Sequence, residues 1–245
     1  MNRGSRALIP QPARKGRLCP FLALSLLFLL TFRCLSVAAE LPLVRIAYGA
    51  FQEKVLALWI GVEQGFFRKH GLNVEVINIR SGPLTMVALA SGDIQVAYTI
   101  PGAVLSAAAG GMDVAFFGGI VNRADGDLVV EPSIRRPEDL RGKTIGVQSI
   151  GGGVWSHTMM AIEYLGLEPT RDKILLRVVG DPTVQVQSLA TGLIDGAWLT
   201  YAFSSIVQEK GFRVLLDLGK VSIPFQGLAL VTQRSYLVKN PEIAD

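Results

Sequence analysis

Apolar residues in this chain come alternately in short runs and at helical spacing. "LVRIAYGA" (residues 43–50) is a short apolar run closed by glycine and predicts a strand; "LNVEVINI" (72–79) and "IQVAYT" (94–99) predict two more. Between them, "KVLALWIGVEQGFFRKHG" (54–71) carries apolar residues at helical spacing. It ends in Lys69 and His70 before Gly71, cations and a glycine suited to a helix C-terminus. "SGPLTMVALASG" (81–92) opens on Ser81 as a candidate N-cap, has Pro83 in its first turn and stops at Gly92. Strand, helix, strand, helix, strand is the order of a parallel sheet with crossover helices.

The second half repeats the order. "KTIGVQSI" (143–150), "KILLRVVG" (173–180) and "IDGAWLT" (194–200) predict strands, with helices over "VWSHTMMAIEYLG" (154–166) and "PTVQVQSLATG" (182–192). The phrase "LASGDIQVAY" (89–98) returns as "LATGLIDGAW" (189–198), each time as the last turn of a helix, a glycine cap and the next strand. Two such units predict two α/β lobes, over residues 41–125 and 126–225. A segment at 226–245 returns toward the first lobe, and "RADGDLVVEPSIRRPEDLRG" (123–142) serves as the crossing between lobes.

The first residues change the electrostatic picture. "MNRGSRALIPQPARKGR" is basic with no acid, "FLALSLLFLLTF" (21–32) is apolar, and "SVAAE" sets Val37 and Ala39 before a cut at Glu40. Residues 1–39 therefore read as a signal peptide, which predicts export. An uncleaved membrane anchor is the alternative, although the twelve-residue apolar run falls short of the roughly 20 residues a spanning helix needs. This leader holds six of the 24 Lys and Arg and none of the 20 Asp and Glu, so the rest has 18 basic and 20 acidic residues, a net of −2. The sequence pI of about 9.2 then gives no reason to expect nucleic acid as a partner. Both cysteines, Cys19 and Cys34, also lie in the leader, which leaves no disulfide or thiol chemistry after it.

Candidate chemistry sits where strands end, because ligands of open parallel sheets bind beyond the carboxyl ends of the strands. In "SIGGGVWSHT" the free amides of a helix start, with the hydroxyls of Ser149 and Ser156, could hold an oxyanion; a plain sharp turn is the other reading. As a dinucleotide fingerprint the same loop is degraded, with Ser156 where Gly or Ala belongs. The aromatics Tyr48, Phe51, Tyr98, Trp155, Trp198 and Tyr201 fall at or near strand ends and suit the walls of a pocket. Of the two histidines, His70 suits a helix end, and His157 lies one turn into a helix with its role open. No catalytic residue, metal or cofactor is expected: there is no nucleophile elbow, no His-Glu-x-x-His and no cluster of ligand residues at metal spacing.

The stretches "GVEQGFFRKHGLNVEV", "LASGDIQVAY", "DLRGKTIGVQSIGGG" and "LIDGAWLTYAF" resemble the periplasmic solute-binding proteins of ABC importers for sulfonates, taurine, nitrate and related anions. The likeness runs from Leu41 to Asp245 and belongs to the type II periplasmic-binding-protein, thiamine-precursor-synthase-like superfamily. It implies a two-lobe clamp, each lobe a mostly parallel sheet with helices on both faces. Such a clamp works as a monomer, closes on a small anion and docks on a permease in the inner membrane, without catalysis. It implies ligand contacts at Tyr48, Gly49, Ser81, Gly82, Tyr98, Thr99, Ser149, Ile150, Gly151, Gly152, Asp181 and Trp198. Members usually continue for several more helices that complete the first lobe, so the C-terminal part of that lobe is expected to be missing from a chain ending "VKNPEIAD". The alternative within the same fold is binding or synthesis of a thiamine-pyrimidine precursor, but those synthases carry a cysteine-rich motif and this chain has no cysteine after Cys34.

Overall fold

In the computed structural model, which describes residues 41–243, ten strands make two five-stranded sheets. The first holds β1 (Leu43–Tyr48), β2 (Asn73–Asn78), β3 (Val96–Thr99), β4 (Val114–Val121) and β10 (Leu228–Gln233), in the order β2-β1-β3-β10-β4. The second holds β5 (Asp127–Val130), β6 (Thr144–Val147), β7 (Leu175–Val178), β8 (Gly196–Leu199) and β9 (Arg213–Asp217), in the order β7-β6-β8-β5-β9. The two orders are the same order. In each, three parallel strands are followed by an antiparallel fourth that pairs with a fifth. The fourth strand is exchanged: β5 reaches the second sheet straight after β4 of the first, and β10 reaches the first sheet after β9 of the second. The predicted leader, residues 1–39, lies outside the described residues.

Helices cover both faces of each sheet. Alternate residues of a strand point to opposite faces. On β1 and β3, Ala47 and Ala97 face α3 (Gly82–Ser91) and α4 (Pro101–Ala109), packing with Met86, Leu89 and Val104. Ile46, Tyr48, Val96 and Tyr98 face the other way, toward Val55 and Leu58 at the start of α1 (Leu56–Glu63). On the second sheet, Ala197 and Leu199 meet Leu189 of α6 (Pro182–Ala190) and Val207 of α7 (Tyr201–Gln208), while Trp198 turns toward α5 (Gly153–Tyr164). All four residues of β3, β5 and β8 are buried, as expected for strands covered on both sides.

The repeated phrase does the same work twice. Gly92 and Gly192 take left-handed φ values of 82° and 70° after α3 and α6, and Ile94 and Ile194, each 2 % exposed, anchor the turn into β3 and β8. Gln95 and Asp195 then accept from the first strand of their unit: Arg45 N–H reaches Gln95 Oε1 at 2.9 Å and Thr144 N–H reaches Asp195 Oδ2 at 2.6 Å.

Several predicted elements differ in the structure. The helix over 54–71 is broken at Gly65, whose φ of 67° starts a separate short α2 (Phe66–Lys69). The crossing segment 123–142 contains β5, whose Asp127, Leu128, Val129 and Val130 are buried between β8 and β9. Its flanking charges hide a strand that is supported only by distant partners. α4, α7, β4, β9 and β10 also lie outside the predicted elements. A last helix, α8 (Arg234–Lys239), follows β10.

Among the described residues no helix is long and apolar enough to cross a membrane.

Candidate functional site

Two chain crossings join the sheets and run side by side. Leu218 N–H donates to Gly126 O at 2.9 Å, and the Gln226 carboxamide donates to Val121 O at 2.9 Å and Leu228 O at 2.7 Å. Beyond them the strand ends of the two sheets face each other across a narrow cleft. Its walls are Tyr48, Gly49, Ala50, Gln52, Val55, Gly82, Tyr98, Thr99, Ile100 and Leu228 from one side, and Gln148, Gly153 and Val154 from the other. The cavity is only about 30 Å³, space for a water or two. An apolar groove of about 450 Å³ between α3 and α4 is larger, but its lining offers almost no polar group.

The walls touch because glycines permit it. A Cβ on Gly153 would stand 2.4 Å from the Cβ of Ile100, and one on Gly82 would stand 2.8 Å from the Cβ of Ala103 and 3.3 Å from the Cα of Gly152. The first-turn amides of α5 have no intrahelical acceptors, and Gly153 and Val154 of that turn line the cleft.

Polar contacts between the two sides complete the closure. The Gln148 carboxamide donates to Gly49 O at 2.8 Å and to Asp181 Oδ1 at 2.8 Å. Thr200 Oγ1 donates to Glu53 Oε2 at 2.7 Å, and Arg80 Nε pairs with Asp181 Oδ2 at 3.3 Å. Deeper, Lys54 Nζ lies 2.6 Å from Asp125 Oδ2, and Tyr98 Oη donates to Lys54 O at 2.8 Å. Burial raises the Tyr98 phenol above its ordinary pKa, so it stays a neutral donor.

Tyr48, Gly49, Gly82, Tyr98 and Thr99 all stand in the cleft wall. Ser81 occupies the N-cap position of α3, but its hydroxyl makes no capping bond; its carbonyl accepts from Thr85 Oγ1 at 2.9 Å. Ser149 closes the glycine loop through its carbonyl, which accepts from Gly152 N–H at 3.3 Å. Ile150 is 55 % exposed and outside the lining, and Gly151 borders the apolar groove. Asp181 stands at the mouth of the cleft in the contacts described above.

Trp198 is elsewhere. It is 2 % exposed, its indole N–H donates to Asp125 O at 2.9 Å, and its ring lies 4.5 Å from that of His157. His157 is fully buried between Trp198 and Phe225, with Nδ1 3.1 Å from Gly153 O; burial pushes its pKa down to about 4. Ser156 is not a free donor either, since its hydroxyl bonds back to Gly152 O at 2.9 Å. The lining residues that sequence reasoning passed over include Gln148 and Gln52. Gln148 directly follows β6, and that strand-end position was the one signal available. Among the described residues no group of three His, Cys, Asp or Glu side chains is placed to hold a metal ion.

Two sheets of matching order, joined by paired crossings and facing across a cleft, define a two-lobe binding-protein fold of the periplasmic type. The alkanesulfonate-binding protein from Xanthomonas axonopodis pv. citri, solved with MOPS, superposes with a TM-score of 0.68 at 22 % identity, covering 84 % of this chain and 71 % of that one. The periplasmic nitrate-binding protein from Synechocystis PCC 6803 gives a TM-score of 0.67 at 17 % identity, over 84 % and 59 % of the two chains. At such identities the likeness is one of fold. The family model described as NMT1/THI5 like matches residues 52–245, and the chain belongs to that family. In sequence it is 28 % identical over 192 residues to a protein of Brucella abortus (strain 2308) named only as a binding protein, covering 77 % of this chain and 57 % of that one. It is 29 % identical over 183 residues to the taurine-binding periplasmic protein of Escherichia coli (strain K12), over 73 % and 55 %. The chain thus spans little more than half the length of these relatives.

Proposed function

We propose that this chain is the ligand-binding part of the substrate-binding component of an ABC-type importer. It captures a small anion between its sheets in the periplasm and delivers it to a permease in the inner membrane. One observation carries the reading: the polar groups of the cleft wall are backbone amides, a threonine hydroxyl, two carboxamides and two tyrosines, set among aliphatic side chains, with no carboxylate, histidine or lysine. Aligned neutral donors suffice to hold an oxyanion, whereas turnover needs groups of tuned pKa set against a reacting atom. The neighbouring charges Lys54 and Asp125 are committed to each other at 2.6 Å. Relatives named for taurine, alkanesulfonate and nitrate support an oxyanion as the ligand class. Tyr48 and Tyr98 give the wall apolar faces suited to a short organic tail, which favours an organosulfonate or carboxylate over bare nitrate.

The test is a thermal-shift screen of the purified chain against taurine, ethanesulfonate, nitrate and acetate. A ligand at a hundred times its dissociation constant adds about 2.7 kcal/mol of stability. Mass spectrometry of the bound fraction should return the ligand unchanged and stoichiometric; a product accumulating beyond one equivalent overturns capture without turnover. A second reading, a thiamine-pyrimidine precursor as the ligand, comes from the likeness of the sequence to the thiamine-precursor-synthase-like superfamily. Adding that pyrimidine to the screen separates the two. Export is checked on the cell-derived protein, which should begin at or near Glu40; a retained leader would mean an anchored receptor.

A further inference from the structure

The mouth of the cleft is shut by three side chains from the two lobes. Arg80 follows β2 and comes from the first; Gln148 follows β6, Asp181 precedes α6, and both come from the second. The Asp181 carboxylate is held on both sides. Its Oδ1 accepts from the Gln148 carboxamide at 2.8 Å, and its Oδ2 meets Arg80 Nε at 3.3 Å. Gln148 Nε2 also lies 2.8 Å from Gly49 O and 3.3 Å from Arg80 O, so the carboxamide ties the carboxylate to the edge of the cleft wall.

A guanidinium and a carboxamide N–H converging on one carboxylate from opposite lobes form an oxyanion-binding set, and here a protein side chain occupies it. The two charged partners are unequal. The Asp181 side chain is 18 % exposed and well fixed, whereas the Arg80 side chain is 78 % exposed and its Nε stands at a long 3.3 Å. A pair of that kind contributes little. A guanidinium that engages a sulfonate or carboxylate through two nitrogens gains much more. Lys54 is another cation close to the cleft, but it is tied to Asp125 with both side chains only 11 % exposed.

We propose that Arg80 is the cationic partner of the captured anion and that Asp181 is its internal competitor, so that ligand capture exchanges one oxyanion on Arg80 for another. The inference rests on the anion-capture reading and deepens it: it sets the ligand's charged end at the mouth, toward the Gln148 carboxamide, and its tail inward against Tyr48 and Tyr98. In the sequence Arg80 stands in the strand-end loop "IRSGP" beside Ser81 and Gly82, and that position is its one signal.

The experiment is titration calorimetry of the full chain with ethanesulfonate, and with nitrate as a second probe, on wild type, Arg80→Met, Arg80→Lys and Asp181→Asn. Arg80→Met should weaken ethanesulfonate binding by about tenfold or more, the lower end for losing a hydrogen bond to a charged group. Arg80→Lys should fall between, since it keeps the charge but not the planar fork. Asp181→Asn should strengthen binding by removing the competitor. A simple latch predicts something else, because either substitution would free the mouth and both would shift affinity in the same direction. Same-direction shifts, an unchanged Arg80→Met, or weaker binding in Asp181→Asn overturn the proposal while leaving anion capture standing. If wild type binds neither probe, Arg80's role fails; the anion reading fails with it only if taurine and acetate also leave the thermal-shift screen unmoved. Thermal unfolding of each variant checks that the fold is intact, as the exposure of Arg80 leads one to expect.

Discussion

Lys54 and Asp125 form an ion pair where the first lobe meets the crossing: Nζ to Oδ2 is 2.6 Å, and each side chain is 11 % exposed. Lys54 Nζ also lies 5.9 Å from the centroid of the Trp198 ring, and Asp125 O accepts the Trp198 indole N–H. The pair therefore connects the start of α1, the crossing and the core of the second lobe. Removing one partner leaves a nearly buried charge alone, which costs about 3–5 kcal/mol, while an apolar pair of similar volume recovers much of the loss. Lys54→Met should lower unfolding stability by about 3 kcal/mol in urea, and Lys54→Met combined with Asp125→Leu should be more stable than Lys54→Met alone. Single variants that unfold like wild type would mean the pair is a surface decoration.

His157 predicts a pH dependence. Its Nδ1 donates to Gly153 O, its Nε2 is buried with no partner among the described residues, and the ring lies against Trp198 and Phe225. Burial lowers its pKa from 6.5 to about 4, the Lys54 charge adds to that, and Asp125 opposes it. The unfolded chain thus binds a proton at higher pH than the folded one. The contribution is fully present above pH 6.5 and is lost as pH falls toward about 4. The whole swing is on the order of 3 kcal/mol. Asp127, whose pKa burial raises, acts in the opposite sense, but equally in any His157 variant. His157→Gln should flatten the stability profile between those limits in urea titrations across pH. Equal slopes in the variant and wild type would sink the argument.

How much of this was legible depends on where each element finds its partners. The repeated Leu-Ala-Ser/Thr-Gly phrase was readable because cap, glycine and buried isoleucine are local features. β5 and β10 were not, because each is inserted between strands of the opposite half. "DLVV", with Asp125 and Glu131 on its borders, carries no strand signal of its own strength. α4 escaped for another reason: "PGAVLSAAAGG" has no polar stripe to give it a helical period. Strand ends do border the cleft between the sheets, and Tyr48, Gly49, Gly82, Tyr98 and Thr99 stand in its wall. Which side chain of a strand end faces it is a matter of parity. Trp198 looked like pocket, yet its strand position points it at α5 and His157. Gln148 looked like filler, yet it bonds Gly49 from 99 residues away.

Closure itself gives the last prediction. Gly153 opens α5 and abuts Ile100 just after β3, so the two lobes touch there through the Ile100 side chain against bare glycine backbone. A methyl group at Gly153 would lie 2.4 Å from Ile100 Cβ, 2.9 Å from its Cδ1 and 3.0 Å from its Cγ2. Rotating the isoleucine relieves contacts to Cδ1 and Cγ2 but not to Cβ, which is fixed to the backbone. Gly153→Ala should therefore hold the lobes apart rather than unfold them, since α5 keeps its hydrogen bonds and alanine favours a helix. Small-angle scattering should show a larger radius of gyration than wild type, while far-ultraviolet dichroism stays the same. Anion affinity should fall, because donors from the second lobe no longer reach the first. A variant with wild-type dimensions and wild-type affinity for ethanesulfonate would mean that the cleft works without the contact at Gly153 and Ile100.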